Sequence, residues 1–179
     1  MRTMIGVVLA ASLFALCGVL SSHLYADQGT NAAFLGVPFA LVCALLLVRK
    51  TSAFLIVPMI ALLWVFARIT ATWAAMKTSD DYLPMGLAGL AGGCGIAAAL
   101  GITHPHLLSR LRLAGAAVIG FSAALSFGPW LESYRLHINS APDPLQPMRL
   151  EYAFAIWQAA VGGYVYLNAV VGRKRDLLK

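Results

Sequence analysis

The sequence predicts an all-α integral membrane protein: one polytopic domain, a bundle of six transmembrane helices with both termini in the cytoplasm. Three observations carry that expectation, namely the composition, six apolar runs of spanning length, and a charge asymmetry between alternate connections. Of 179 residues, 60% are hydrophobic and 11% charged, whereas soluble domains are about 45–50% apolar and about 25% charged. Mean hydropathy is +0.80. A net charge of +6 would suggest nucleic acid as the partner of a soluble protein. Here the basic residues cluster at the ends of apolar runs, which is how a membrane protein is oriented. The partner implied is the lipid bilayer.

Crossing about 30 Å of hydrocarbon takes about 20 helical residues. Six runs qualify: 4–22, 32–48, 53–76, 83–102, 113–131 and 152–171. The first follows Arg2 and could be a secretory leader, but cleavage after Ala26 would put bulky Leu24 at the −3 position. Leu16 before Cys17 likewise departs from a lipoprotein cleavage box, so the run reads as a retained helix. The second run is the shortest. The outer loop, 132–151, has two halves. Residues 130–138 mix apolar and polar types as a short interfacial helix does. Pro142, Pro144 and Pro147, with Asn139, Ser140 and Asp143, forbid a continuous helix beyond it. The loop suits a cap over the outer face or a linker.

Sorting charges by connection tests the topology independently. One side holds Arg2, Arg49, Lys50, Arg110, Arg112, Arg173, Lys174, Arg175 and Lys179 against Asp176 alone. The other holds Lys77, Arg135 and Arg149 against Asp27, Asp80, Asp81, Glu132, Asp143 and Glu151. The basic side faces the cytoplasm, which in a bacterial cell means the inner membrane. An odd number of spans would scatter like charges over both sides.

Small residues suggest where helices touch, because close backbone approach drives association in lipid. Gly89 and Gly93 lie four apart in the fourth run, and Gly120, Ala124 and Gly128 form a stripe in the fifth. These read as packing faces, with an unwound stretch at Gly92-Gly93 as the alternative. Six spans also permit a three-plus-three inverted repeat, without residue-level similarity between the halves. In length, span number and cytoplasmic termini the chain is similar to the substrate-binding subunits of energy-coupling vitamin transporters. Ala11-x-x-x-Ala15 would fit the small-residue contact those subunits make. The likeness is one of topology alone.

Arg68 is the one charged residue inside a span, and an ionisable group in hydrocarbon costs at least about 2.5–3.5 kcal/mol at the centre. It lies eight residues before Met76, roughly 12 Å below the outer end of its helix. It is either a snorkelling anchor or a functional group. Gln158 sits at a similar depth in the sixth run, seven residues from Glu151. That spacing puts Glu151, Ala155, Gln158 and Gly162 on one face, as it does Trp64, Arg68 and Thr72 on the third helix. If the two faces meet, Arg68 donates to Gln158 and pairs with Glu151 or Glu132 in an outward pocket. Trp64, Trp73, Trp130 and Trp157, with Tyr82, Tyr134 and Tyr152, fall in the outer half and form either an interfacial belt or the rim of that pocket. An anionic or amphipathic ligand reaching Arg68 from the outer leaflet is the functional version.

Other chemistry finds little support. Cys17, Cys43 and Cys94 stand singly in apolar runs, without C-x-x-C spacing. His104 and His106 lie two apart beside Arg110 and Arg112, with no third or fourth ligand nearby, so no metal site is expected. There is no acidic residue in any span, no H-E-x-x-H, G-x-S-x-G or phosphate-cradling loop, which weighs against an enzyme, a cofactor and a proton-coupled pump. The leading expectation is a small-solute transport or ligand-binding membrane subunit with Arg68, Gln158, Glu151, Trp64 and Glu132 at its pocket. The alternative is a non-catalytic accessory or scaffold subunit, bound to other membrane subunits or to itself through the glycine-rich helices. A membrane-embedded enzyme acting on a lipid or quinone ranks third.

Overall fold

The computed structural model describes residues 2–28, 32–48, 50–80, 82–136 and 145–176, and every regular element among them is helical. They are α1 (Arg2–Gln28), α2 (Ala32–Leu47), α3 (Lys50–Ala75), α4 (Tyr82–Leu100), α5 (Arg110–Ala124), α6 (Gly128–Leu136) and α7 (Gln146–Asp176). Five stretches are long and apolar enough to cross a membrane: Met4–Leu24, Phe54–Ala75, Tyr82–Leu100, Arg110–Glu132 and Pro147–Gly172. The second expected span is different. α2 has 16 residues, a rise of about 24 Å, which falls short of the hydrocarbon thickness. Its apolar part is Phe34–Leu47.

The outer surface is apolar all round, with Leu45, Phe54 and Leu111 exposed by 83%, 86% and 84%. Water would penalise such a surface, and lipid does not.

Proline sets the main departures from the expected boundaries. The fifth run is not one helix: α5 tightens into a 3-10 turn at Leu125–Phe127 before α6 begins. Pro129 is the cause, since it lacks an N–H and its ring collides with the carbonyl four residues back, at Leu125. α7 starts six residues before the expected Tyr152, because Pro147 falls in its first turn, where a missing N–H costs nothing. The short helix expected at 130–138 corresponds to α6, although Pro142, Pro144, Asn139, Ser140 and Asp143 lie outside the described residues. Between α3 and α4, Asp80 Oδ1 accepts the Tyr82 and Leu83 N–H groups at 2.6 and 2.8 Å, satisfying two donors that a helix start leaves open.

Successive helices α1 to α5 pack side by side, and α7 closes the bundle against α5 and, most extensively, α1. Two seams are tight enough to require glycine. Gly18 of α1 lies on the Phe154 carbonyl and the Ala155 backbone of α7, so a Cβ there would collide with main chain. Gly89 and Gly93 of α4 meet Gly120, Ala124 and the Ala116 carbonyl of α5 in the same way. Phe14, Phe39, Ile96, Leu100, Val161 and Val165 fill the centre and are almost wholly buried. By contrast, α3 packs its backbone chiefly on α2 and α4, and that leaves space on its inward face.

Candidate ligand cavity

On α3, Leu63, Trp64, Ala67, Arg68, Ala71, Thr72 and Ala75 recur at intervals of three and four, so they share one face. Opposite them α4 presents Ala88, Gly89 and Gly92. Side chains this small cannot fill the gap between the helices. Meanwhile bulky aromatics hold α3 off α7: Trp64 stacks on Phe154 with centroids 5.7 Å apart and meets Trp157 edge-on at 5.2 Å. Phe127 props Phe154 from the far side at 5.0 Å. The outcome is a cavity of about 520 Å³, a volume typical of ligand pockets. α6 contributes Trp130 and Leu131, α7 contributes Leu150, Phe154 and Trp157, and Leu35 reaches in from α2.

Its polarity is uneven. Arg68 is the one charged residue among the described residues of the wall, and Thr72 the one hydroxyl. Both are exposed, so they mark the mouth, whereas Ile96 and Trp157 at the floor are 1% and 5% exposed. Trp157 spends its N–H on the Gly120 carbonyl at 3.1 Å, tying the floor to the α4–α5 seam. Trp64 turns its pyrrole edge toward Gly36 of α2, and its N–H is buried with no hydrogen-bond partner among the described residues.

The structure brings together Arg68, Trp64 and Thr72 as the helical spacing requires, but it sends their expected partners elsewhere. Gln158 is fully buried, and its Nε2 donates to Ser21 Oγ at 2.9 Å. Ser21 Oγ lies 2.8 Å from both the Leu35 and Cys17 carbonyls, so its single proton serves one of them at a time. Glu151 Oε1 stands 3.5 Å from His23 Nε2 of α1. Ala155 abuts Gly18, and Gly162 abuts the Phe14 ring. The stripe Glu151, Ala155, Gln158, Gly162 is therefore one face, and that face packs on α1. A rotation of about 100° per residue is what turns Phe154 and Trp157 toward α3 instead. Glu132 is exposed on α6, next to wall residue Leu131 but not in the wall.

The tryptophans divide between the two expected roles. Trp64, Trp130 and Trp157 line the cavity, while Trp73 is 58% exposed on the outside. Tyr82 and Tyr152 are exposed too, at 42% and 62%. At the opposite end, the α4–α5 turn is bound to α7. His106 Nε2 lies 3.1 Å from the Asn168 carbonyl, Arg112 donates to the His106 carbonyl at 2.7 Å, and Tyr164 donates to the Arg112 carbonyl at 3.0 Å. His104 is buried with Nδ1 3.0 Å from Thr103 Oγ1. Among the described residues no three histidine, cysteine or carboxylate side chains converge as a metal site would need.

Reading the sequence missed the α1–α7 seam and Ser21. Gly18, Gly162 and Gly163 were the available signal, as was Ser21, a hydroxyl at the depth of Gln158. No family, no curated protein and no solved structure matches the chain.

Proposed function

We propose that this chain is a six-span membrane protein with cytoplasmic termini, a transport or ligand-binding subunit that receives an anionic ligand in an outward-facing cavity at Arg68. The observation that carries this reading is the cavity itself, about 520 Å³, with one cationic side chain at its mouth. A guanidinium presents a planar fork of donors suited to carboxylate or phosphate. Support for the orientation comes from the sorting of basic residues onto the end that carries the α4–α5 turn. The cavity lies toward the other end, beside the α3–α4 turn and the start of α7. α2 counts as the sixth span on this reading, with local bilayer thinning or flanking residues accommodating its length.

The alternative, an accessory or scaffold subunit, would have to bind its partners through other faces. The glycine faces that would bind another subunit are occupied by each other, Gly89 and Gly93 against Gly120 and Ala124.

Native mass spectrometry from a mild detergent tests the reading, with wild type and Arg68→Ala purified side by side. A small molecule retained by the wild type and lost from the folded variant is the expected result. Copurifying protein chains with no ligand difference would favour the accessory-subunit reading instead.

A further inference from the structure

The walls say more about the ligand than its charge. A hydrophilic solute such as a sugar or amino acid would surrender its hydration to enter. Beyond Arg68 and Thr72 it would meet mainly alkyl and aromatic surface, that of Ala71, Ala88, Ile96, Phe154 and Trp157, with the indoles of Trp64 and Trp130 beside it. The indole N–H of Trp157 is already committed to Gly120. The polar groups stand at the exposed mouth, and the apolar surface deepens away from them. We infer that the ligand is a single-chain amphiphile: an acyl or alkyl chain lying on Trp157 and Ile96, with an anionic head, carboxylate or phosphate, held at Arg68 and Thr72. The inference rests on the cavity reading above and narrows it to one substrate class.

The energetics assign the two parts different tasks. A chain already dissolved in the bilayer gains nothing from the hydrophobic effect on moving into an apolar cavity, so its contribution comes from fit. Selectivity over bulk lipid therefore resides in the head and in the absence of room for a second chain.

The tryptophans supply the readout. In a Trp73→Phe protein, the remaining indoles, Trp64, Trp130 and Trp157, all line the cavity, and bromine quenches indole fluorescence on contact. The protein is placed in phosphatidylcholine nanodiscs and titrated with bromododecanoate. Quenching should saturate at low mole fraction. Unlabelled dodecanoate and dodecyl phosphate should reverse it, and dodecanol should be at least tenfold weaker. Arg68→Gln should erase that tenfold difference. Ala88→Leu and Ala71→Leu, which fill the cavity, should each remove the saturable phase while circular dichroism stays unchanged. Quenching that rises linearly, parallel to that by brominated phosphatidylcholine, would overturn the amphiphile. If acetate or inorganic phosphate then protected the Thr72→Cys variant from alkylation, the anion cavity would stand and this inference alone would fall. If neither protected it, both would fall.

Discussion

α7 meets its neighbours in two different ways on its two sides. Toward α1 the contact is solid: Ala155 is pressed on Gly18, Gly162 holds the Phe14 ring, and Gln158 and Glu151 reach Ser21 and His23. Toward α3 the contact is a row of rings, Phe154 and Trp157 against Trp64, with a cavity beside them. Small residues produce both. On the α1 side a glycine faces backbone and the helices close up; on the α3 side alanines face alanines and glycines while indoles hold the backbones apart. A small side chain therefore makes contact or space according to what its neighbours do.

That contrast is easiest to break at Gly18. Gly18→Val should cost about 3 kcal/mol or more, because the collision is with main chain that cannot rotate away. Thermal unfolding in detergent would read this as loss of the folded protein, and a wild-type melt would refute the tight seam. Gly93→Val, against the Ala116 carbonyl, should behave alike. Ala71→Leu sits on the other side of the comparison. It fills space, so its stability should stay within about 1 kcal/mol of wild type or rise. A drop as large as that of Gly18→Val would mean the cavity is not there.

A smaller effect sharpens the solid side. Ser21→Ala strips Gln158 Nε2 of its partner and should destabilise by about 1 kcal/mol, the scale of a polar contact between helices in lipid. Gln158→Leu should cost less than Ser21→Ala, since Ser21 keeps its carbonyl partners and an unpartnered Oε1 is removed. A double-mutant cycle on the two residues measures the difference, and the reverse order would contradict the assigned bond.

Helix positions were legible in the sequence because twenty-residue apolar runs have few alternatives in lipid. The break at Pro129 is legible only in part, since hydropathy continues smoothly from Arg110 to Glu132 and a proline alone does not mark a break: Pro38 and Pro58 lie inside continuous helices. Spacing identified which residues share a face, and both stripes, Trp64 with Arg68 and Thr72, and Glu151 with Gln158, are faces of their helices. Spacing says nothing of which helix lies opposite. That depends on the rotation of α7, set by Gly18, Gly162 and the bulk of Phe154 and Trp157, of which only the glycines offer a signal in the sequence. The cavity was invisible for a related reason: it is made by what Ala67, Ala71, Ala88 and Gly92 lack.

Arg68 at the mouth of an outward-facing cavity is tested most directly by charge-selective labelling. In a protein lacking Cys17, Cys43 and Cys94, Thr72→Cys is exposed from the outer side to anionic and to cationic methanethiosulfonates. One turn from Arg68 on the same face, the thiol should react faster with the anionic reagent by about tenfold, a bias set by the adjacent positive charge. Arg68→Gln should abolish the bias. Equal rates in both backgrounds, or reaction only from the opposite side of the membrane, would contradict the account.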